Sequence, residues 1–214
     1  MTPEQVLTEV RRLIQDTDAT RYRYSNEALL GHMNQALKRM CHIRPDLFVV
    51  YGDIPTQAGK TMQQLPDGAV RLVEIFHVKG GGTVAETVRE TLDETHPTWH
   101  SDTPGEPINF IRHIRNPDRY FLSPPPAQGV VVVGEYVQTP PNYTLKQVID
   151  LSDVYFPLLV DGTVWLAESI DNEHVNSGRA EMYKRTFYEG LGVTLESRSV
   201  SDAESGGMTS NGRA

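Results

Sequence analysis

Cysteine is almost absent from these 214 residues. Cys41 stands alone, which excludes an intramolecular disulfide framework and any zinc site built from several thiolates. Long apolar runs are also missing. Val130–Val133 and Leu158–Val160 are among the longest, far short of the ~20 residues a membrane-spanning helix needs. The opening MTPEQVLTEVRR is an amphipathic helix start without an apolar signal region. The expectation is a protein made in a reducing cytoplasm, with no membrane contact.

Concentrated positive charge is lacking too. The net charge is −8. Residues 1–46 carry seven Lys/Arg against six Asp/Glu, 47–151 eight against twelve, 152–192 three against seven, and 193–214 two against three. A protein that grips DNA by its phosphates needs a basic surface, because counterion release supplies much of that affinity. DNA that passes near this chain is not expected to be held by it.

Catalytic signatures are absent as well, and the fragments that resemble them fail on spacing. Gly59-Lys60-Thr61 echoes the end of a phosphate-binding loop, but the position five before Gly59 is Ile54 rather than glycine, so the wrapping backbone is missing. Asp16-Thr17-Asp18-Ala19-Thr20 resembles a phosphatase nucleophile loop, which requires a preceding buried strand. Val10–Gln15 has helical spacing instead, so these aspartates read as loop and capping residues. His96 and His100 are separated by Pro97, which breaks the helix that would align them on a metal, and His77 and His113 lack companions. Gly80-Gly81-Gly82 reads as a flexible loop tip rather than an anion cradle. No catalytic residue, cofactor or metal ligand is expected. A phosphatase built on Asp16 and Asp18 is the remote alternative.

Helix signals stand at both ends of the chain. Thr2 suits a cap and Pro3 the first turn, and Val6, Leu7, Val10, Leu13 and Ile14 form one stripe. Ser25 caps a second helix striped by Ala28, Leu29, Met33, Ala36, Leu37, Met40 and Cys41 and stopped by Pro45. After Asp153, Val154–Ile170 is apolar with Pro157 in its first turn, and Glu173–Leu191 carries Ala180, Tyr183, Phe187 and Leu191 before Gly192. Between the pairs, Leu47–Ile54, Met62–Leu65, Leu72–Val78, Ile108–Ile114, Tyr120–Leu122 and Val130–Val137 read as strands. Asn116-Pro117-Asp118 marks a hairpin turn, and 87–95 a short helix.

The expected fold is α+β. A four-helix bundle forms from the N- and C-terminal helix pairs (1–46 and 152–192), with an inserted antiparallel β-rich domain (47–151) and an extended C-terminal tail (193–214). Leu29, Leu37, Phe187 and Leu191 are expected in its core.

The run Asp18-Ala19-Thr20-Arg21-Tyr22-Arg23-Tyr24-Ser25-Asn26-Glu27-Ala28-Leu29-Leu30, followed by Met33-Asn34-Gln35-Ala36 and Arg44-Pro45-Asp46, resembles the opening of head-to-tail adaptor proteins of short-tailed bacteriophages. The likeness continues at Val88–Asp93, Pro97-Thr98-Trp99, Asn116–Pro126, Asp153-Val154-Tyr155 and Tyr183–Leu191. It covers about 1–192 in order. The resemblance implies a structural virion protein assembled in the host cytoplasm. It implies a dodecameric ring between the portal and the tail nozzle, with the β part facing nozzle or tail fibres and DNA passing through the lumen. It also implies a C-terminal segment that reaches onto the portal. Val193, Leu195, Val200 and Met208 are the sizeable apolar anchors there, with Arg198 and Arg213 able to pair with acidic sites. Another head-completion or tail-tube component is the nearer alternative.

Overall fold

The computed structural model describes residues 1–170 and 177–193. Helix α1 (Pro3–Leu13) starts with a capping box: Thr2 Oγ1 accepts the Gln5 N–H at 3.4 Å, and Gln5 Oε1 accepts the Thr2 N–H at 2.8 Å. Helix α2 (Asn26–Ile43) is capped by Ser25 Oγ, which accepts from Ala28 at 3.0 Å. It ends before Pro45, whose fixed φ starts a single 3-10 turn over Pro45–Phe48. Leu47, expected to open a strand, belongs to that turn.

Helix α4 (Phe156–Glu168), with Pro157 in its first turn, is the most deeply buried helix. It packs on α1, on α2 and on α5 (Ser177–Gly190). An unbroken run of buried residues, Gly162–Glu168, fits a helix covered on several sides. Gly162 sets the closest approach: a Cβ there would lie 2.6 Å from the Phe187 ring and 3.2 Å from Ala36 Cβ. Leu29, Leu37 and Phe187 are 0% exposed and Leu191 1%, all in one core cluster. The start of the last helix, expected at Glu173, lies outside the described residues.

The strands between the helix pairs form two sheets. One has the order β1-β7-β3, from Val49–Pro55, Val131–Gln138 and Ala69–Val78. The other has the order β2-β6-β5-β4, from Met62–Gln64, Arg119–Ser123, Asn109–Arg112 and Ala85–Glu86. Among the described strands each pairing is antiparallel except β4 with β5, which is parallel and corrects the expected all-antiparallel arrangement. Two residues carry no alternation that a sequence pattern could reveal. A short helix, α3 (Arg89–Thr95), follows β4.

The sheets are joined along one side. Beyond β3 the chain turns, and 82–84 bond back to it: the Val78 N–H reaches Gly82 O at 2.9 Å and the Val84 N–H reaches Phe76 O at 3.0 Å. The same segment then passes to β5 as β4. Between the sheets lie Ile54, Leu72, Ile75, Val78 and Val132 from one side and Val84, Phe110, Tyr120 and Leu122 from the other. Gly134 lies at the centre of β7, where a Cβ would stand 2.3 Å from Glu74 O.

Candidate assembly surfaces

The polar connection between α1 and α2 is built rather than loose. Arg11 and Asp16 are both nearly excluded from solvent and pair at 2.5 Å. The Arg11 guanidinium also donates to Tyr24 O and Asn26 Oδ1, each at 2.8 Å, and lies 3.5 Å from the centroid of the Tyr22 ring. Asp16 accepts the Arg23 N–H at 2.7 Å. Gln15, at φ +56°, supplies the left-handed step that turns the chain back. The connection then locks onto α4. Tyr24 donates its hydroxyl to Ala167 O at 3.0 Å, and Arg23 pairs with the buried Glu168. Asp16 therefore works as a loop anchor. Asp18 is exposed and accepts from the Thr20 hydroxyl and N–H, bonds that hold its carboxyl below the usual range.

The other look-alikes resolve locally. Gly59, at φ +72°, sits in a turn and donates to Pro126 O, while Lys60 reaches Gln57. His96 faces Asp102 at 2.8 Å, and His113 Nδ1 accepts the backbone N–H groups of Arg115 and Asn116. Among the described residues no group of three or more His, Cys, Asp and Glu side chains is placed to hold a metal. The glycine tip is an exposed turn, as expected for a loop tip, and it has one side-chain partner. The Gly82 N–H donates to the Glu106 carboxylate, and a Cβ at Gly81 would fall on the same side chain. The acid of the chain itself fills the place an anion would need.

Asp161, half-buried on α4, has its carboxyl pushed up to about 6 by burial. A raised carboxyl favours the protonated fold, so its contribution is fully present below about pH 4 and is lost as pH rises through about 6. Asp161→Asn should therefore stabilise the protein at pH 7 by about 1 kcal/mol, a value discounted for residual solvation, and leave it unchanged near pH 4. Denaturant unfolding at the two pH values checks this; equal effects at both would refute it.

Several large apolar side chains point outward. Tyr51 is 62% exposed and Ile114 94%, with Val88, Ile108, Val148 and Val154 also outward. A groove of about 570 Å³ runs between 86–90 and 111–115 over Phe121. Among the described residues no helix is long and apolar enough to cross a membrane. The residues expected to meet the portal, Leu195, Arg198, Val200, Met208 and Arg213, lie outside the described residues.

Residues 1–211 match the family model described as SU10 adaptor protein, and the chain belongs to that family of phage adaptor proteins, structural components of the virion. No curated protein matches the chain.

Proposed function

We propose that the chain is a head-to-tail adaptor. Copies of it, twelve by the resemblance of its motifs, form a ring between the portal and the tail nozzle, and DNA passes through the lumen. The family match over 1–211 carries this reading. In it, α1, α2, α4 and α5 act as one four-helix bundle that packs beside ring neighbours, residues 47–151 form an inserted domain turned toward nozzle or fibres, and 193–214 is the extended segment that reaches the portal. Leu195, Val200 and Met208 would insert into portal grooves while Arg198 and Arg213 meet acidic sites. The protein has no catalytic task.

Charge supports the duct. A lumen that lets DNA slide needs a neutral or acidic wall, and the chain carries 28 acidic against 20 basic residues. The isolated protein should bind duplex DNA with a Kd weaker than about 1 μM at physiological salt, because it cannot make the many phosphate contacts that tighter binding needs. Sub-micromolar, steeply salt-dependent affinity in a filter-binding titration would contradict a passive channel.

Class averages of the protein mixed with portal test the assembly. The expected image is a ring seated on the portal, lost when the chain is cut after Gly192. A chain that forms no ring, or that forms a stacked tube of many layers, would overturn this reading. Undiminished assembly by the shortened chain would move the attachment from the tail to the helices.

A further inference from the structure

The described strands lie in two sheets, β1-β7-β3 and β2-β6-β5-β4, linked where 82–84 bond to β3 before the chain joins β5 as β4. Strand β1 is a free edge of the first sheet. The direction of the peptide groups at the β1 end follows from three bonds on its neighbour. Val131 O accepts the Lys79 N–H at 2.8 Å, and the Thr139 N–H donates to Gly68 O at 2.9 Å. Odd-numbered residues of β7 therefore turn toward β3, and even-numbered ones toward β1. Thr56 Oγ1, donating to Val130 O at 2.6 Å, agrees. The register pairs Val50 with Tyr136, Gly52 with Gly134 and Ile54 with Val132. The even residues of β1 thus bond to β7, while Val49, Tyr51, Asp53 and the Pro55 carbonyl face outward. No hydrogen bond from another described strand or loop meets them.

The other edges are not comparable. The outer side of β3 is met by Gly82, Val84 and Pro117, and β2 and β4 have only three and two residues. Asp53, paired with Lys79, and Pro55, which has no N–H, blunt the far end of this edge, so the open part runs over 49–52 with exposed Val50 and Tyr51, a stretch that folded proteins usually cover unless another chain occupies it. The flanking side chains describe that occupant. On one face Tyr51 lies 5.9 Å from Phe76, and Glu135 stands opposite both Tyr51 and Glu74. Like charges placed opposite each other are unfavourable; Glu74 lies within electrostatic reach of Arg112, whose direct partner is Glu86, while Glu135 has no ion pair among the described residues. On the other face Ile54 is buried in the inter-sheet core, Gly52 has no side chain and Val50 is partly open.

We infer that β1 is the docking edge for an extended segment of a different protein. The segment alternates apolar residues, laid over Val50 and Gly52, with Lys or Arg laid across Tyr51 toward Glu135 and Glu74. Two candidate segments of the chain itself do not fit. Asn109–Arg112 is already β5, and 193–200 (Val-Thr-Leu-Glu-Ser-Arg-Ser-Val) has one cation and an acid. The inference rests on the reading of the chain as a link between two virion structures.

The test places a benzophenone side chain at Tyr51 in full-length protein within assembled particles, and identifies the adduct by mass spectrometry. The expected adduct is to an extended, Lys- or Arg-bearing segment of another virion protein. Tyr51→Pro, which removes the outward N–H together with the ring, should lower retention of that protein at least about tenfold, and clearly further than Tyr51→Thr, which loses the ring but keeps the N–H. Hydrogen exchange gives a readout independent of folding damage: the Tyr51 and Asp53 amides should become protected on assembly, while Gly52 and Ile54 are protected throughout. An adduct to a second copy, or particles in which Tyr51 and Asp53 exchange freely, would overturn the inference and leave the adaptor reading standing. Failure of the wild-type chain to enter particles would remove both.

Discussion

Arg11→Met should cost about 3–5 kcal/mol in folding free energy, because it leaves the Asp16 carboxylate buried without its counter-charge. The side chain it replaces does four things at once. It neutralises Asp16, satisfies Tyr24 O, bonds Asn26 and stacks on Tyr22. Urea denaturation measures the loss. Arg11→Met combined with Asp16→Asn should recover part of it, since the orphaned charge disappears while the bonds to Tyr24 and Asn26 remain broken. A single-variant loss below about 1 kcal/mol would mean that water reaches Asp16 and that the pair behaves as a surface salt bridge. The effect should not stop at the loop, because Arg23 and Tyr24 tie the same connection to the end of α4.

Gly134→Ala is expected to cost at least about 2–3 kcal/mol, and Gly134→Val more, because overpacking against backbone has no cheap relief. The added Cβ would meet Glu74 O at 2.3 Å and Ile75 Cα at 3.1 Å. Gly52, its partner in the β1–β7 register, has nothing within 4 Å of an added Cβ. Gly52→Ala should be neutral or stabilise by up to about 0.5–1 kcal/mol, since glycine inside a strand loses more chain entropy than alanine. Thermal unfolding of the two variants side by side gives the comparison. Equal effects at both positions would show that β3 can shift away from β7.

The helices were the most legible part of the fold. Their apolar stripes repeat at helical spacing, and Thr2, Ser25, Pro3, Pro45 and Pro157 mark ends by mechanisms that act within a few residues. Those signals put Leu29, Leu37, Phe187 and Leu191 in a common core, where they lie. Strands Leu72–Val78, Tyr120–Leu122 and Val130–Val137 were readable within three residues at either end, but β4 was not. Its two residues are held by partners on β5 that are distant in sequence. The Arg11 cluster was invisible for a related reason. Arg11 sits in a helix whose polar face looks solvated, and only the return of Tyr22, Tyr24 and Asn26 over it turns that face inward. Likewise nothing in a Gly-Gly-Gly run announces that Glu106, more than twenty residues on, will hold it. The surfaces for assembly were the least legible feature, because an outward Tyr or Ile has no local signature that separates it from an ordinary exposed residue.

Strand β7 belongs to two interiors. Val132 is fully buried between the sheets, and Val137, five residues along, is fully buried among the helices. An extended chain covers that interval in about 17 Å without a bend. Any displacement of one core along the strand must therefore be felt by the other, as by a tie rod set in two blocks. A molecule joined in this way resists load as a single stiff piece. Strain applied where the strands meet their surroundings would travel to the helices rather than dissipate at a hinge.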